Sequence, residues 1–159
     1  MVIEMRLLIG EYQTKLTEKN RLAIPKQFRD VLGKEIVVTK GYEQCLWVVS
    51  VKSFDAFLYD LNNGPFLAKS IRETVRFLVG SACQVRLDKQ GRFVVPQHLL
   101  KYSDLKRDVV FIGLSRWLEI WDKNKWEERI KDIEKRTDMI SSEVIRLIKD
   151  KRNEKIGGS

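Results

Sequence analysis

"LTEKNRLAIP" at residues 16–25 and "LDKQGRFVVP" at residues 87–96 are one device written twice. Leu16 and Leu87, Arg21 and Arg92, and Pro25 and Pro96 coincide at a separation of 71 residues. After one extra residue the frame becomes 72, matching Gly41 with Gly113, Leu46 with Leu118, Val48 with Ile120 and Phe54 with Trp126. An internal repeat decides the architecture before any single element is assigned. Each copy runs in the same order. An alternating stretch leads into a charged turn, and a short apolar run follows and stops at proline. Then come a polar helical stretch, two apolar runs and an amphipathic helix.

Local chemistry supports each assignment. "LAIP" (22–25) and "FVVP" (93–96) are apolar and rich in β-branched residues, hence strand-like. Proline donates no ladder hydrogen bond, so each strand ends there and a helix opens, in "PKQFRDVLG" (25–33) and "PQHLLKYSD" (96–104). "EIVVTKG" (35–41) and "DVVFIGL" (108–114) read as buried strands, with "QCLWVVS" (44–50) and "RWLEIWD" (116–122) as their hairpin partners. Ser53 is expected to cap a helix whose apolar residues Phe54, Phe57, Leu58 and Leu61 fall at helical spacing. "NNGP" (62–65) breaks the chain, and a helix is expected over residues 66–79. The predicted organisation is a first repeat at 8–62, a linking helix at 63–80, a second repeat at 81–135 and a C-terminal helical tail at 136–156, opened by Ser141 or Ser142. A half of about 70 residues is marginal by itself. Two similar halves bury each other's apolar faces about a pseudo-two-fold axis, giving one intertwined α+β core. The alternative is two small domains joined by the linking helix.

The 159 residues are 43% hydrophobic and 33% charged, enough for one domain with a core. Thirty Lys and Arg against 22 Asp and Glu leave a formal charge of +8, which points to a polyanionic partner, nucleic acid or an anionic membrane surface. No apolar run approaches the roughly 20 residues of a membrane span, and "MVIEMRLLIG" (1–10) does not read as a signal peptide. Cys45 and Cys83 lie far apart in apolar or alternating stretches and read as buried free thiols in a reducing compartment. No closely spaced Cys/His set suggests a metal site. His98, the only histidine, reads as a half-buried helix residue. No nucleophile–base pairing or glycine-rich phosphate loop is visible, so neither catalysis nor a cofactor is expected. The four tryptophans read as core.

The charged turns hold the candidate site. In "RLDKQGR" (86–92), Asp88 is placed to accept backbone N–H groups and pin the turn, and Gly91 suits a positive φ. Arg92 then either pairs with Asp88 or projects to a phosphate, with Arg86 and Lys89 adding charge beside it. In "KLTEKNR" (15–21), Asn20 tolerates the left-handed conformation, and Thr17 bonds the backbone more weakly than Asp does. No carboxylate stands four residues before Arg21, and Glu18 comes one residue late. Lys15, Lys19 and Arg21 keep this turn positive. The candidate nucleic-acid-contacting residues are therefore Lys15, Lys19, Arg21, Arg86, Asp88, Lys89 and Arg92. A pseudo-two-fold places both turns on related surfaces, as one repeated basic patch whose affinity falls with salt.

At these residues the chain resembles the MraZ family, relatives of the AbrB-type swapped-hairpin DNA-binding proteins. The likeness lies in the repeated Asp-x-x-x-Arg motif followed by apolar-x-apolar-Pro, here "TEKNRLAIPKQFRDVLG" and "DKQGRFVVPQHLL", and runs from about Leu8 to Trp126. It implies two AbrB/MraZ-like half-repeats forming one intertwined β-rich barrel with flanking helices. It also implies a cytoplasmic, nucleoid-associated repressor of its own operon, the cell-division and cell-wall gene cluster. Such a protein binds repeated promoter boxes in double-stranded DNA as a homo-oligomeric ring, with no small-molecule substrate and no membrane. The second motif maps onto Asp88 and Arg92, and the first onto Arg21 alone, because Thr17 replaces its Asp. The alternative is an AbrB-like antitoxin or a protein-binding scaffold. Antitoxins of that kind usually append a disordered toxin-binding tail, whereas residues 123–150 read as ordered helix.

Overall fold

Each repeat pairs one hairpin within itself and finds the partners of its other strands in the other repeat. The computed structural model describes residues 7–65 and 67–157. The first repeat contains β1 (Leu8–Lys15), β2 (Arg21–Ala23), α1 (Lys26–Leu32), β3 (Glu35–Lys40), a 3₁₀ turn at Tyr42–Gln44, β4 (Leu46–Ser50) and α2 (Val51–Asn62). A short α3 (Lys69–Thr74) then runs into a π-helical turn at Val75–Val79. The second repeat contains β5 (Cys83–Arg86), β6 (Arg92–Val94), α4 (Gln97–Ser103), β7 (Asp108–Ser115) and β8 (Leu118–Asp122), followed by α5 (Lys123–Lys135) and α6 (Thr137–Ile156). Phe66, where the expected linking helix begins, lies outside the described residues.

The strands form a six-stranded antiparallel sheet in the order β1-β7-β8-β4-β3-β5 and a separate ribbon of β2 and β6. Only β3–β4 and β7–β8 pair within a repeat. β1 joins β7, β5 joins β3, β4 joins β8 and β2 joins β6, so four of six pairings cross between repeats. The order reads the same from either end once the repeats are exchanged, which is the expected pseudo-two-fold and the expected intertwining. The hydrogen-bonded sheet is not closed into the expected barrel: its edges are β1 and β5. The motif strands β2 and β6 stand outside this sheet and pair with each other.

The core is built from repeat-equivalent positions. Leu22 and Phe93, Ile24 and Val95, Phe28 and Leu99, Leu46 and Leu118, and Val48 and Ile120 are all buried in one cluster. Tyr12 of β1 sets its ring edge-on to Phe28, with centroids 4.9 Å apart. Gly113 is glycine because β1 passes over it: a Cβ there would lie 2.6 Å from Ile9 N. The end of the linking segment is tied to β3, where the Thr39 hydroxyl donates to the Leu78 carbonyl.

Smaller expectations shift. The cap of α2 is Ser50, whose Oγ accepts from Ser53 N at 3.1 Å, so the helix starts two residues before the predicted cap. α6 starts at Thr137, and Ser142 donates back to the Asp138 carbonyl inside it. Cys45 is buried but Cys83 only half-buried. His98 is exposed on α4 and donates Nε2–H to the Ser81 carbonyl at 2.9 Å. Trp121 is buried, whereas Trp47, Trp117 and Trp126 are half-buried. Residues from Asn124 onward form a second compact unit of α5 and α6, in which Val144, Ile145, Leu147 and Ile148 are exposed. Among the described residues no helix is long and apolar enough to cross a membrane.

Candidate nucleic-acid interface

The two motif turns superpose bond for bond up to one difference. In the second, Asp88 N donates to the Arg92 carbonyl and Gly91 N to the Asp88 carbonyl, both at 2.9 Å. In the first, Thr17 N donates to the Arg21 carbonyl at 3.1 Å and Asn20 N to the Thr17 carbonyl at 2.9 Å. Gly91 sits at φ 72° and Asn20 at φ 56°, so both take the left-handed conformation the turn needs. The difference is in the pinning side chain. Asp88 Oδ1 accepts from Gln90 N at 2.8 Å and Arg92 N at 2.9 Å, while Oδ2 accepts from Arg92 Nε at 2.8 Å. Thr17 has one side-chain oxygen, and among the described residues it accepts only from Arg21 N, at 3.1 Å. The Arg92 main-chain N–H, then its guanidinium and the Gln90 N–H, hold the Asp88 carboxyl below its ordinary value.

Of the two readings of Arg92, the pairing with Asp88 is the one seen. Its Nε is fixed to Asp88, and its two terminal nitrogens have no protein partner among the described residues. Arg21 has no side-chain partner among the described residues, and Glu18 does not supply one.

After the turns, β2 and β6 form the ribbon, with Arg21 opposite Val94, Leu22 opposite Phe93 and Ala23 opposite Arg92. The ladder continues at both ends through Ile24 N to the Gly91 carbonyl and Val95 N to the Asn20 carbonyl. Leu22 and Phe93 point into the core, so alternation puts Arg21, Ala23, Arg92 and Val94 on the outward face. Arg21 and Arg92, 71 residues apart in sequence, become diagonal cross-strand neighbours, a relation that spans about 7–8 Å.

The remaining candidates divide. Lys15 ends β1 opposite Asp108, its Nζ 3.9 Å from the carboxylate, and Arg86 ends β5 opposite Glu35 at 3.6 Å. Each thus faces an acid from the other repeat. Such exposed pairs contribute about 0–1 kcal/mol and soften the positive charge beside the turn. Lys19 and Lys89, at the turn tips, are exposed and carry no ion pair among the described residues.

One basic residue at the site escaped the sequence reading of the turns. Arg29 of α1, in the first repeat, lies on Gly91 of the second repeat's turn. A Cβ at Gly91 would come 2.3 Å from Arg29 Cδ and 2.5 Å from Nε and Nη1. Arg29 Nε is buried without a hydrogen-bond partner among the described residues. No local spacing signals this contact, because it depends on the crossing of the repeats.

Comparison with known proteins gives a consistent picture. The model of the MraZ protein family, described as antitoxin-like, matches twice, at residues 7–77 and 78–144. The protein named transcriptional regulator MraZ in Acetivibrio thermocellus is 41% identical over 121 residues, which cover 76% of this chain and 85% of that protein. Its namesake in Clostridium beijerinckii is 42% identical over 122 residues, covering 77% and 86%. That of Finegoldia magna is 39% identical over 126 residues, covering 79% and 88%.

Proposed function

Because this chain belongs to the MraZ family, we propose that it is a DNA-binding transcriptional regulator, with the two motif turns and the ribbon between them as its contact surface. The observation that carries this reading is the meeting of Arg21 and Arg92 on one outward face of a two-stranded ribbon. A ribbon of that width fits the major groove of B-DNA, about 12 Å across. Arg92 approaches with two terminal nitrogens available for a bidentate contact to phosphate or guanine. Lys19 and Lys89 flank the face as phosphate contacts, and the net charge of +8 favours encounter with DNA.

The finer reading follows the family. The protein represses its own operon, the cell-division and cell-wall cluster, and works in the cytoplasm on the nucleoid. It assembles as a homo-oligomeric ring whose subunits meet successive promoter boxes. An antitoxin role would call for an extended toxin-binding tail, and the continuous helix Thr137–Ile156 favours the regulator reading instead.

Titration of the duplex upstream of its own coding sequence, at several salt concentrations, tests the proposal. Log affinity should fall linearly with log salt, with a slope of roughly −0.9 for each phosphate neutralised. A flat salt response, or equal binding to a scrambled duplex, overturns it. Light scattering that shows a monomer at micromolar concentration overturns the ring.

A further inference from the structure

We propose that Val94 determines specificity by packing its side chain against the 5-methyl group of a thymine in the major groove. This rests on the DNA-binding reading above. An exposed valine is ordinary on its own, but this one has an unusual setting. It is 54% exposed on the outward face of the β2–β6 ribbon, directly across from Arg21. The outward face consists of two arginine–apolar pairs, Arg21 with Val94 and Arg92 with Ala23. Leu22 and Phe93 occupy the inward face, so Val94 has no route into the core.

A cationic face of this kind is matched to phosphate and guanine edges, and those gain nothing from a branched hydrocarbon. On the major-groove edges of the bases, the apolar feature is the thymine methyl. A valine held beside an arginine therefore supplies a second kind of recognition at the same depth in the groove. The two repeats differ here. Ala23 and Val94 are equivalent in the repeat, 71 residues apart, yet alanine offers one methyl where valine offers two on a longer reach. The face is thus unsymmetrical, with the thymine preference at the end where Arg21 stands.

The test uses the full-length protein and its upstream duplex, synthesised either with thymine or with deoxyuridine throughout. Wild type should bind the deoxyuridine duplex about fourfold more weakly, the effect of one methyl group leaving an apolar contact. Val94→Ala should bind both duplexes alike. Val94→Thr, which keeps the shape but replaces a methyl with a hydroxyl, should show a reduced difference. Equal wild-type binding to both duplexes, with salt-dependent and sequence-preferring affinity intact, overturns the role of Val94 and leaves the DNA-binding reading standing. A loss on deoxyuridine that persists in Val94→Ala places the methyl contact elsewhere and also overturns it. Absence of sequence-preferring binding to either duplex overturns both.

Discussion

Arg92 Nε lies 2.8 Å from Asp88 Oδ2, whereas Arg21, its counterpart in the first repeat, meets Thr17 only through its main-chain N–H at 3.1 Å. The turns have the same backbone and differ in how firmly they hold a guanidinium. An arginine ordered before contact loses less side-chain entropy on binding, where immobilisation costs about 0.5–1.5 kcal/mol per flexible side chain. Thr17→Asp should therefore restore the second oxygen, fix Arg21 and tighten DNA binding roughly threefold. Unchanged affinity, with the turn shown intact by NMR, would mean that ordering Arg21 does not limit binding.

The same difference ranks the two arginines. Arg92→Ala should weaken binding about tenfold or more and reduce the salt slope by about 1. Arg21→Ala should reduce the slope similarly but cost less affinity, because a loosely held side chain contributes less net free energy. Gel-shift titrations at three salt concentrations separate the two quantities. Equal affinities for both variants would contradict the ranking.

Gly91 serves both its backbone conformation and the space that Arg29 fills. At φ 72° a side chain costs about 1–2 kcal/mol. The Arg29 side chain, which a new Cβ would meet at Cδ, Nε and Nη1, also has to shift to make room. Gly91→Ala should thus destabilise by about 1–2 kcal/mol in urea denaturation, and Gly91→Asn by about half of that, since Asn tolerates this region. If Asn proves as damaging as Ala, the contact with Arg29 outweighs the backbone cost.

Asp88 gives the turn an acid limit. Its carboxyl is held below its ordinary value, first by the Arg92 N–H, so the ionised form is favoured in the folded chain over the unfolded one. A depressed folded value means that the contribution is complete above the unfolded value and is lost as pH falls through the folded value. Asp88→Asn keeps an oxygen for the two main-chain N–H groups but removes the charge beside Arg92 Nε. The stability gap between wild type and Asp88→Asn should stay constant from pH 5 to 8 and narrow below about pH 4. A gap that changes near neutral pH would assign it to some other group.

What was legible in the sequence was local. Asp88, Gly91 and Arg92 interact within a few residues, so their spacing displays the turn, and the repeat itself foretold the pseudo-two-fold. The cap of α2 slipped because Ser50 and Ser53 both suit the role, and only the observed bond between Ser50 Oγ and Ser53 N decides between them. Long-range partners left no local trace. Arg29 meets Gly91 from 62 positions away, and Lys15 and Arg86 meet Asp108 and Glu35 only because β1 and β5 cross into the other repeat. Closure of the sheet is likewise decided by where its edges end, and β1 and β5 stop without meeting.

That crossing gives the most demanding test of the fold. Residues 7–77 contain β1 to β4, yet only β3 and β4 pair with each other. β1 lacks β7, β2 lacks β6, and Leu22 loses the facing Phe93 that covers it. A lone hairpin flanked by α1 on one side and α2 and α3 on the other has too little core to fold. Expressed alone, this half should be unfolded at low concentration. At higher concentration it should gain structure only as a dimer, in which a second copy supplies the missing strands at equivalent positions. Circular dichroism and light scattering across a concentration series would show both changes together. A folded monomer would contradict the intertwined pairing that brings Arg21 and Arg92 onto one face.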